Sequence, residues 1–211
     1  MTNPNLTEFY FVIDATGSMR GKYEEVISGF NSFIAEQEIE EGDAVLTVVT
    51  FERGRGCQTI AKRVPLDEFR LNRNNYRLGG MTPLYEACIR GIEDLGTTLS
   101  NELESRRPGK IVFVIMTDGL ENASGRGYTK DRLQKLITQQ STLYGWNFLF
   151  LGQDIDAEAE GAAVGVKVGT TATVGSFERG LGTTSAKVKS YRATGNAERL
   201  IYTDEEKRLM S

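Results

Sequence analysis

Acidic and hydroxyl side chains stand together directly after the first strongly apolar run of the chain. The residues from Tyr10 to Ile13 are aromatic or β-branched, as in buried strands, and Asp14, Thr16 and Ser18 follow in the sequence DATGS. Carboxylate and hydroxyl oxygens are the ligands that a hard cation such as Mg²⁺ or Mn²⁺ prefers. Taken alone, Asp14 could equally satisfy backbone donors of the turn and cap the next helix.

Two later segments place similar side chains where a strand ends or a helix begins. The sequence GGMTPLYEA puts Thr82 at a predicted helix start, and TDGLEN puts Asp118 after the apolar run KIVFVIMT. Taken singly, Thr82 is typical of a helix cap followed by Pro83, and Asp118 with Gly119 is typical of a turn. In a doubly wound sheet, however, all these side chains meet at one edge. Two carboxylates and three hydroxyls would form an all-oxygen site there for Mg²⁺ or Mn²⁺.

The absence of histidine narrows the possible chemistry. None of the 211 residues is histidine, which excludes Ser-His-Asp and Cys-His catalysis and every imidazole zinc site. The two cysteines, Cys57 and Cys88, have no second cysteine at metal-ligand spacing, so we expect buried free thiols. Any metal must therefore be held by oxygen ligands.

Composition and charge indicate a single core and argue against nucleic-acid and membrane partners. A hydrophobic content of 39% suffices for one sizeable core, and the net charge of -4 has no basic stripe, which argues against a nucleic-acid partner. The longest apolar runs have strand length, so we expect no membrane span and no membrane partner. The first residues, MTNPNLTEF, lack the pattern of a signal peptide, which predicts a cytoplasmic protein.

Strand and helix patterns alternate along most of the chain. This alternation predicts an α/β fold: a doubly wound, mostly parallel sheet with one antiparallel edge strand. The predicted strands span 10–13, 44–51, 57–65, 110–117 and 146–152, with helices starting near Tyr23, Pro83 and Thr129. After Gly165 the sequence becomes rich in Gly, Thr and Ser before helical spacing returns. We therefore predict a domain at 7–165 and a C-terminal helical tail at 166–211.

The three motifs together resemble the von Willebrand factor type A (vWA) domain family and its metal-ion-dependent adhesion site (MIDAS). They occur in the family's order on the expected elements, over roughly residues 7 to 165, and the chain is most similar to the stand-alone cytoplasmic type of prokaryotes and their viruses. The resemblance implies hydroxyl ligands from Thr16, Ser18 and Thr82, and implies that Asp14 and Asp118 bind the metal directly or through water. The family more often has serine where this chain has Thr16.

The resemblance also implies binding without turnover. A carboxylate from a partner protein can fill the open position of a Mg²⁺ ion whose ligands are partly neutral hydroxyls. Glu121, Asn122 and the loop ASGRGY would surround that contact. For Glu121, simple surface charge is an equally good interpretation.

An enzyme is the main alternative. The sequence DATGS also resembles the haloacid-dehalogenase-like phosphotransferases, in which Asp14 would be the nucleophile and TDGLEN a metal-binding motif. Asn122 stands near the place of that superfamily's second carboxylate, and GGMTPLYEA has no role there. A phosphate-binding loop at GSMRGK would be one residue too short. The sequence DIDAEAEG is similar to a calcium loop but lacks its glycine, so carboxylates at a helix N-terminus explain this acidic run better.

Overall fold

A six-stranded sheet forms the centre of the molecule in the computed structural model, which describes all residues 1–211. The strand order is β3-β2-β1-β4-β5-β6, and every neighbouring pair is parallel except β2 and β3. The predicted fold class is confirmed, including the antiparallel edge strand. The strands are β1 (Asn3–Asp14), β2 (Asp43–Glu52), β3 (Gly56–Pro65), β4 (Pro108–Thr117), β5 (Asn147–Gly152) and β6 (Thr171–Thr173).

Helices cover both faces of the sheet. Along β1, Phe9 and Phe11 point to one apolar cluster and Tyr10 and Val12 to the other, as the two-residue period of a strand requires. No helix is long and apolar enough to cross a membrane. The first face holds α1 (Tyr23–Glu38), α5 (Phe177–Thr194) and α6 (Asp204–Met210), and the second holds α2 (Leu84–Ser100), α3 (Lys130–Tyr144) and α4 (Ala157–Ala163).

Local signals set the helix ends where the sequence predicts them. The Thr129 side chain accepts a hydrogen bond from the Arg132 N–H at 3.3 Å and begins α3, and Gly145 ends it with φ of 68°. Before α6, Thr203 and Glu206 form a reciprocal capping box. The start of α3 thus lies where the sequence predicts it.

The segment 166–211 contains the predicted helices and also contributes to the sheet. It supplies β6, which pairs with β5, and α5, which packs so closely on α1 that a Cβ on Gly29 would lie 2.8 Å from Glu178 Cα. Phe177 and Met210 are fully buried in the same cluster as Phe11. Composition did not predict β6, and the domain boundary at residue 165 stays a prediction.

Both cysteines are free thiols, as expected. Cys57 in β3 is half-buried and Cys88 in α2 is buried. Burial raises the pKa of the Cys57 thiol to about 11 and raises that of Cys88 further. Neither thiol is therefore activated at neutral pH.

Candidate metal site

The carboxyl ends of four strands bring acidic residues to one edge of the sheet. Asp14 is the last residue of β1 and Glu52 the last of β2, while Asp118 directly follows β4 and Asp154 lies two residues beyond β5. Because β1 lies between β2 and β4, Asp14 stands at the middle of this edge. This is the edge where doubly wound sheets place their ligands.

Asp14 is a buried carboxylate without a cationic partner. Its side chain accepts hydrogen bonds from the Thr16 N–H at 2.8 Å and from the Thr117 hydroxyl at 2.7 Å, and it takes part in no ion pair. Burial raises the pKa of Asp14 to about 6, although these two hydrogen bonds partly offset the effect. A buried negative charge surrounded only by neutral donors is suited to receive a cation.

Thr16, Ser18 and Asp118 form a chain of hydrogen bonds beside Asp14. The Thr16 and Ser18 hydroxyl oxygens are 3.0 Å apart, and the Ser18 hydroxyl donates to Asp118 Oδ1 at 2.6 Å. Lys22 Nζ donates to the other oxygen, Asp118 Oδ2, at 2.7 Å. Burial lowers the pKa of Lys22, but hydrogen bonds to Asp118 and Asp154 outweigh that effect and leave it raised. No pattern in the sequence links Lys22 to this group.

Thr82 lies beside these residues, but it does not cap a helix. The helix α2 begins after Pro83, and no side chain of its N-cap residue accepts a hydrogen bond. Instead two hydrogen bonds tie Thr82 to Asn122: the Thr82 N–H donates to the side-chain Oδ1 of Asn122 at 2.9 Å, and the Asn122 N–H donates to Thr82 O at 3.1 Å. Thr82 Oγ1 forms no hydrogen bond within the protein and would lie 3.3 Å from a Cβ on Gly119. Its hydroxyl is therefore free to bind a ligand.

Glu121 stabilises the loops around the candidate site, and its predicted place beside a partner contact stays a prediction. Its carboxylate accepts hydrogen bonds from the N–H groups of Tyr85, Ala123 and Ser124 at 2.7–2.8 Å, and from the Ser124 hydroxyl at 2.7 Å. It thus accepts a hydrogen bond from a free N–H at the start of α2, the role that the sequence predicts for Thr82. The alternative of simple surface charge does not account for these four bonds.

Glu52 is a further buried carboxylate at this edge that sequence reasoning missed. It accepts hydrogen bonds from the N–H groups of Gly54 and Arg55, at 2.6 and 2.5 Å, and pairs with the Arg55 guanidinium at 3.3 Å. A Cβ on Gly80 would lie 2.5 Å from Glu52 Oε2, so this glycine allows the loop before α2 to pack on the carboxylate. Its position at a strand end, the same signal that drew attention to Asp14, could have identified it.

Tyr76 fixes the backbone of Asp14. Its buried hydroxyl donates to the Asp14 carbonyl oxygen at 2.5 Å, and its own carbonyl accepts from the Tyr23 hydroxyl at 2.7 Å. The two tyrosine rings stack with centroids 5.3 Å apart. No sequence signal connects Tyr76 to a site 62 residues earlier.

The donor set fits a hard divalent cation. No group of three or more acidic or cysteine side chains in the chain could hold a metal, so an ion here would depend on two carboxylates and on hydroxyls. Mg²⁺ commonly binds through one or two carboxylates and keeps water or neutral oxygen in its other positions. The buried charge of Asp14 and the unbonded hydroxyl of Thr82 are the two observations that favour such an ion.

Comparisons with known proteins show the fold. The sequence matches no model of a protein family and no curated protein. Proximal thread matrix protein 1 from the mussel byssus superposes with a TM-score of 0.60 and 18% identity, covering 89% of this chain and 48% of that one. One structure of that mussel protein is described as having a zinc-occupied MIDAS motif.

Two further solved structures superpose on most of the chain. The manganese-loaded TRAP protein of Plasmodium vivax has a TM-score of 0.53 and 14% identity, covering 78% of this chain and 65% of that one. A von Willebrand factor type A structure from Catenulispora acidiphila has a TM-score of 0.57 and 13% identity, covering 87% and 42%. The matched region thus spans less than two thirds of each of these proteins. The chain has the vWA fold.

Proposed function

We propose that this protein is a metal-dependent protein-binding module, an adaptor or scaffold, and not an enzyme. Asp14, Thr16, Ser18, Thr82 and Asp118 would hold a Mg²⁺ or Mn²⁺ ion, and an acidic residue of a partner protein would complete the ion's ligands. The observation that carries the proposal is the buried Asp14 carboxylate, which has no cation and stands beside neutral hydroxyls.

The mixture of ligands supports capture of a carboxylate. Three of the five candidate ligands are neutral hydroxyls, so a bound ion would keep much of its positive charge for an incoming group. The zinc-occupied MIDAS motif of the mussel protein and the manganese-loaded TRAP protein support metal binding in a domain with this fold.

Apolar side chains beside the candidate ligands support a protein partner. Met81 is 47% exposed next to Thr82, and Leu120 is 54% exposed two residues after Asp118. Exposed large apolar residues around a polar centre are typical of protein-binding surfaces. A cavity of about 630 Å³ lies at the opposite end of the sheet, between Asn5, Glu40 and Arg192, away from the candidate ligands.

Unpaired arginines on the surrounding loops favour an acidic partner. Arg53, Arg77 and Arg126 are exposed, lie on three different loops at this edge and form no ion pair, although the whole chain has a net charge of -4. Positive charge around a metal-bound carboxylate would accelerate association with an acidic segment and would make the rate sensitive to salt.

The environment of Asp14 argues against phosphoryl transfer. Its side chain is fully buried, so a bulky phosphate ester is hindered from reaching its oxygens more than a small ion is. The absence of histidine removes the commonest general acid and base. These features support binding over catalysis.

Thermal unfolding with added metal tests the ion site. Binding to the folded state alone should stabilise the protein by about 1.4 to 2.7 kcal/mol at ten to a hundred times the dissociation constant. The Asp118→Ala variant should not become more stable when the metal is added. Asp156→Asn is the matched control, because Asp156 caps α4 and asparagine caps equally well. No gain with millimolar Mg²⁺ or Mn²⁺ would contradict the metal site.

A displayed peptide library tests carboxylate capture. The library is bound to the immobilised protein in Mn²⁺ and eluted with a chelator. We expect eluted peptides to share an aspartate or glutamate, and binding to be lost when that residue becomes asparagine or glutamine. Retention of peptides after chelation, or hydrolysis of p-nitrophenyl phosphate that depends on Asp14, would contradict the proposal.

A further inference from the structure

Lys22 connects two acidic residues at the edge of the candidate metal site. Its ammonium lies 2.7 Å from Asp118 Oδ2 and 2.7 Å from Asp154 Oδ2. The Lys22 side chain is only 14% exposed and that of Asp118 is fully buried, whereas the side chain of Asp154 is 70% exposed. The lysine is thus held between an inner carboxylate and an outer one.

Asp154 has a left-handed backbone conformation. Its φ of 61° lies in a region that aspartate visits more readily than most other non-glycine residues. The preceding residue, Gln153, is fixed because its N–H donates to Thr117 O at 3.1 Å. The loop after β5 thus places the Asp154 carboxylate beside Lys22.

The two inner carboxylates, Asp14 and Asp118, differ in whether a cation neutralises their charge. Asp14 has no cation, whereas Asp118 already has the ammonium of Lys22. A divalent ion held by both carboxylates would stand close to that ammonium, and two like charges at such distances in a partly buried site repel by several kcal/mol. The lysine therefore has to leave Asp118 for the ion to bind well, and Asp154 offers it a second, solvent-exposed anchor.

We infer that Lys22 is a built-in counter-cation that competes with the metal for Asp118 and moves onto Asp154 when the metal binds. This inference rests on the metal site proposed above. Lys22 is a positioning residue in this scheme, because it neutralises Asp118 in the metal-free protein and sets the metal concentration at which the site fills. Asp154 acts through Lys22 and does not bind the ion.

Mn²⁺ binding to variants of the full chain tests this inference. Removing the ammonium with Lys22→Met should tighten the dissociation constant for Mn²⁺, measured by electron paramagnetic resonance of the free ion, by about tenfold or more. Arg20→Met is the matched control, because Arg20 lies on the same 3-10 turn, is exposed and forms no ion pair. Its effect should stay within about twofold, since exposed charges are screened by solvent and salt.

A second pair of variants tests the outer anchor and does not depend on Lys22→Met folding well. Asp154→Asn confines the ammonium to Asp118 and should weaken Mn²⁺ binding, whereas Asp156→Asn removes the same charge two residues away. Equal effects of the two substitutions would mean that only net charge matters and would overturn the role of Asp154.

The outcomes separate this inference from the proposed function. If wild type and Lys22→Met bind Mn²⁺ equally, or the variant binds more weakly, the competition is refuted and the metal site stands. If only Lys22→Met binds, the competition is supported and the native protein does not use the metal. If neither binds, both ideas are refuted.

Discussion

Glu8, near the middle of β1, and Asp14, at its end, are buried carboxylates in different surroundings. Glu8 is fully buried and its Oε2 accepts a hydrogen bond from Arg63 Nε at 2.9 Å, whereas Asp14 has only neutral donors. Burial raises the pKa of Glu8 to about 7 even though the Arg63 guanidinium partly offsets it. Burial lowers the pKa of Arg63, but the carboxylates of Glu8 and Glu102 raise it more, so this pKa is raised overall. The attraction between Arg63 and Glu8 therefore exists, but it does not outweigh the cost of burying the Glu8 carboxylate.

Replacing Asp14 by asparagine should stabilise the metal-free protein and abolish the response to metal. The amide keeps an acceptor for the Thr16 N–H, and it removes a buried charge that has no cation. At pH 8 in a chelator, we expect urea unfolding to show a gain on the order of 2 kcal/mol, because one pKa unit corresponds to about 1.4 kcal/mol. A less stable variant that still responds to Mn²⁺ would contradict this role for Asp14.

Glu8 should make the folded protein less stable as the pH rises toward neutral. Its pKa is raised from 4.5 to about 7 in the folded state, so its contribution is fully present below about 4.5 and is lost as the pH rises through about 7. The free energy of unfolding of the wild-type protein should fall by an amount on the order of 3 kcal/mol between pH 5 and pH 8, and Glu8→Gln should remove this fall. Urea unfolding at both pH values measures the difference. Glu68→Gln, at an exposed position without an ion pair, should leave the pH dependence unchanged.

At the scale of elements, the loops that carry the candidate ligands are joined to one another by backbone hydrogen bonds. The Gly79 N–H donates to Ala15 O at 2.8 Å, and the Arg53 N–H donates to Met81 O at 3.0 Å. Together with the bonds between Thr82 and Asn122, these contacts link the loops after β1, β2 and β4. The position of each ligand therefore depends on the neighbouring loops.

Gly80→Ala should disturb the site through this linkage. Its Cβ would lie 2.5 Å from Glu52 Oε2, so the loop that leads to Thr82 must shift, and overpacking of this kind costs about 1 to 3 kcal/mol. We expect a lower melting temperature and a smaller metal-induced rise. Gly21→Ala is the control, because a Cβ there meets nothing within 4 Å. Equal behaviour of the two variants would show that the packing on Glu52 is not needed.

The elements could be predicted from the sequence, but the partners of the loop side chains could not. Periodic apolar residues and local caps such as Thr129 identify strands and helices from neighbouring positions alone. The role of Glu121 depends on the N–H of Tyr85, which is 36 residues away, so the sequence suggested Thr82 as a cap instead. The strand β6 has three residues, too few for an alternating pattern. The candidate ligands themselves followed from their places at strand ends. Lys22 gave no such signal, and the acidic run that begins at Asp154 was assigned to a helix N-terminus.

At the scale of the whole molecule, the segment 166–211 completes one of the two apolar layers. Its buried side chains share a cluster with the inner faces of β1, β4 and β5, and β6 extends the sheet beyond β5. Gln37 of α1 donates hydrogen bonds to the backbone and hydroxyl of Ser185 in α5, which fixes the two helices against each other. This layer is continuous across the predicted boundary.

A fragment ending at residue 165 should therefore fail to fold. It would leave the apolar side chains of α1 and of three strands exposed to water on one face of the sheet. We expect loss of near-ultraviolet circular dichroism and of a cooperative urea transition, with the complete chain as the control. A cooperative transition in the fragment would instead show that 7–165 is an independent domain.

The separation of the candidate ligands along the chain determines when the site can form during protein synthesis. Ser18 and Asp118 share a hydrogen bond although they are 100 residues apart, and the layer beneath them closes only with residues as late as Met210. Ribosomes add residues from the N-terminus over several seconds, so a growing chain exposes Asp14 long before its companions exist. The site therefore forms only once this late segment has been made.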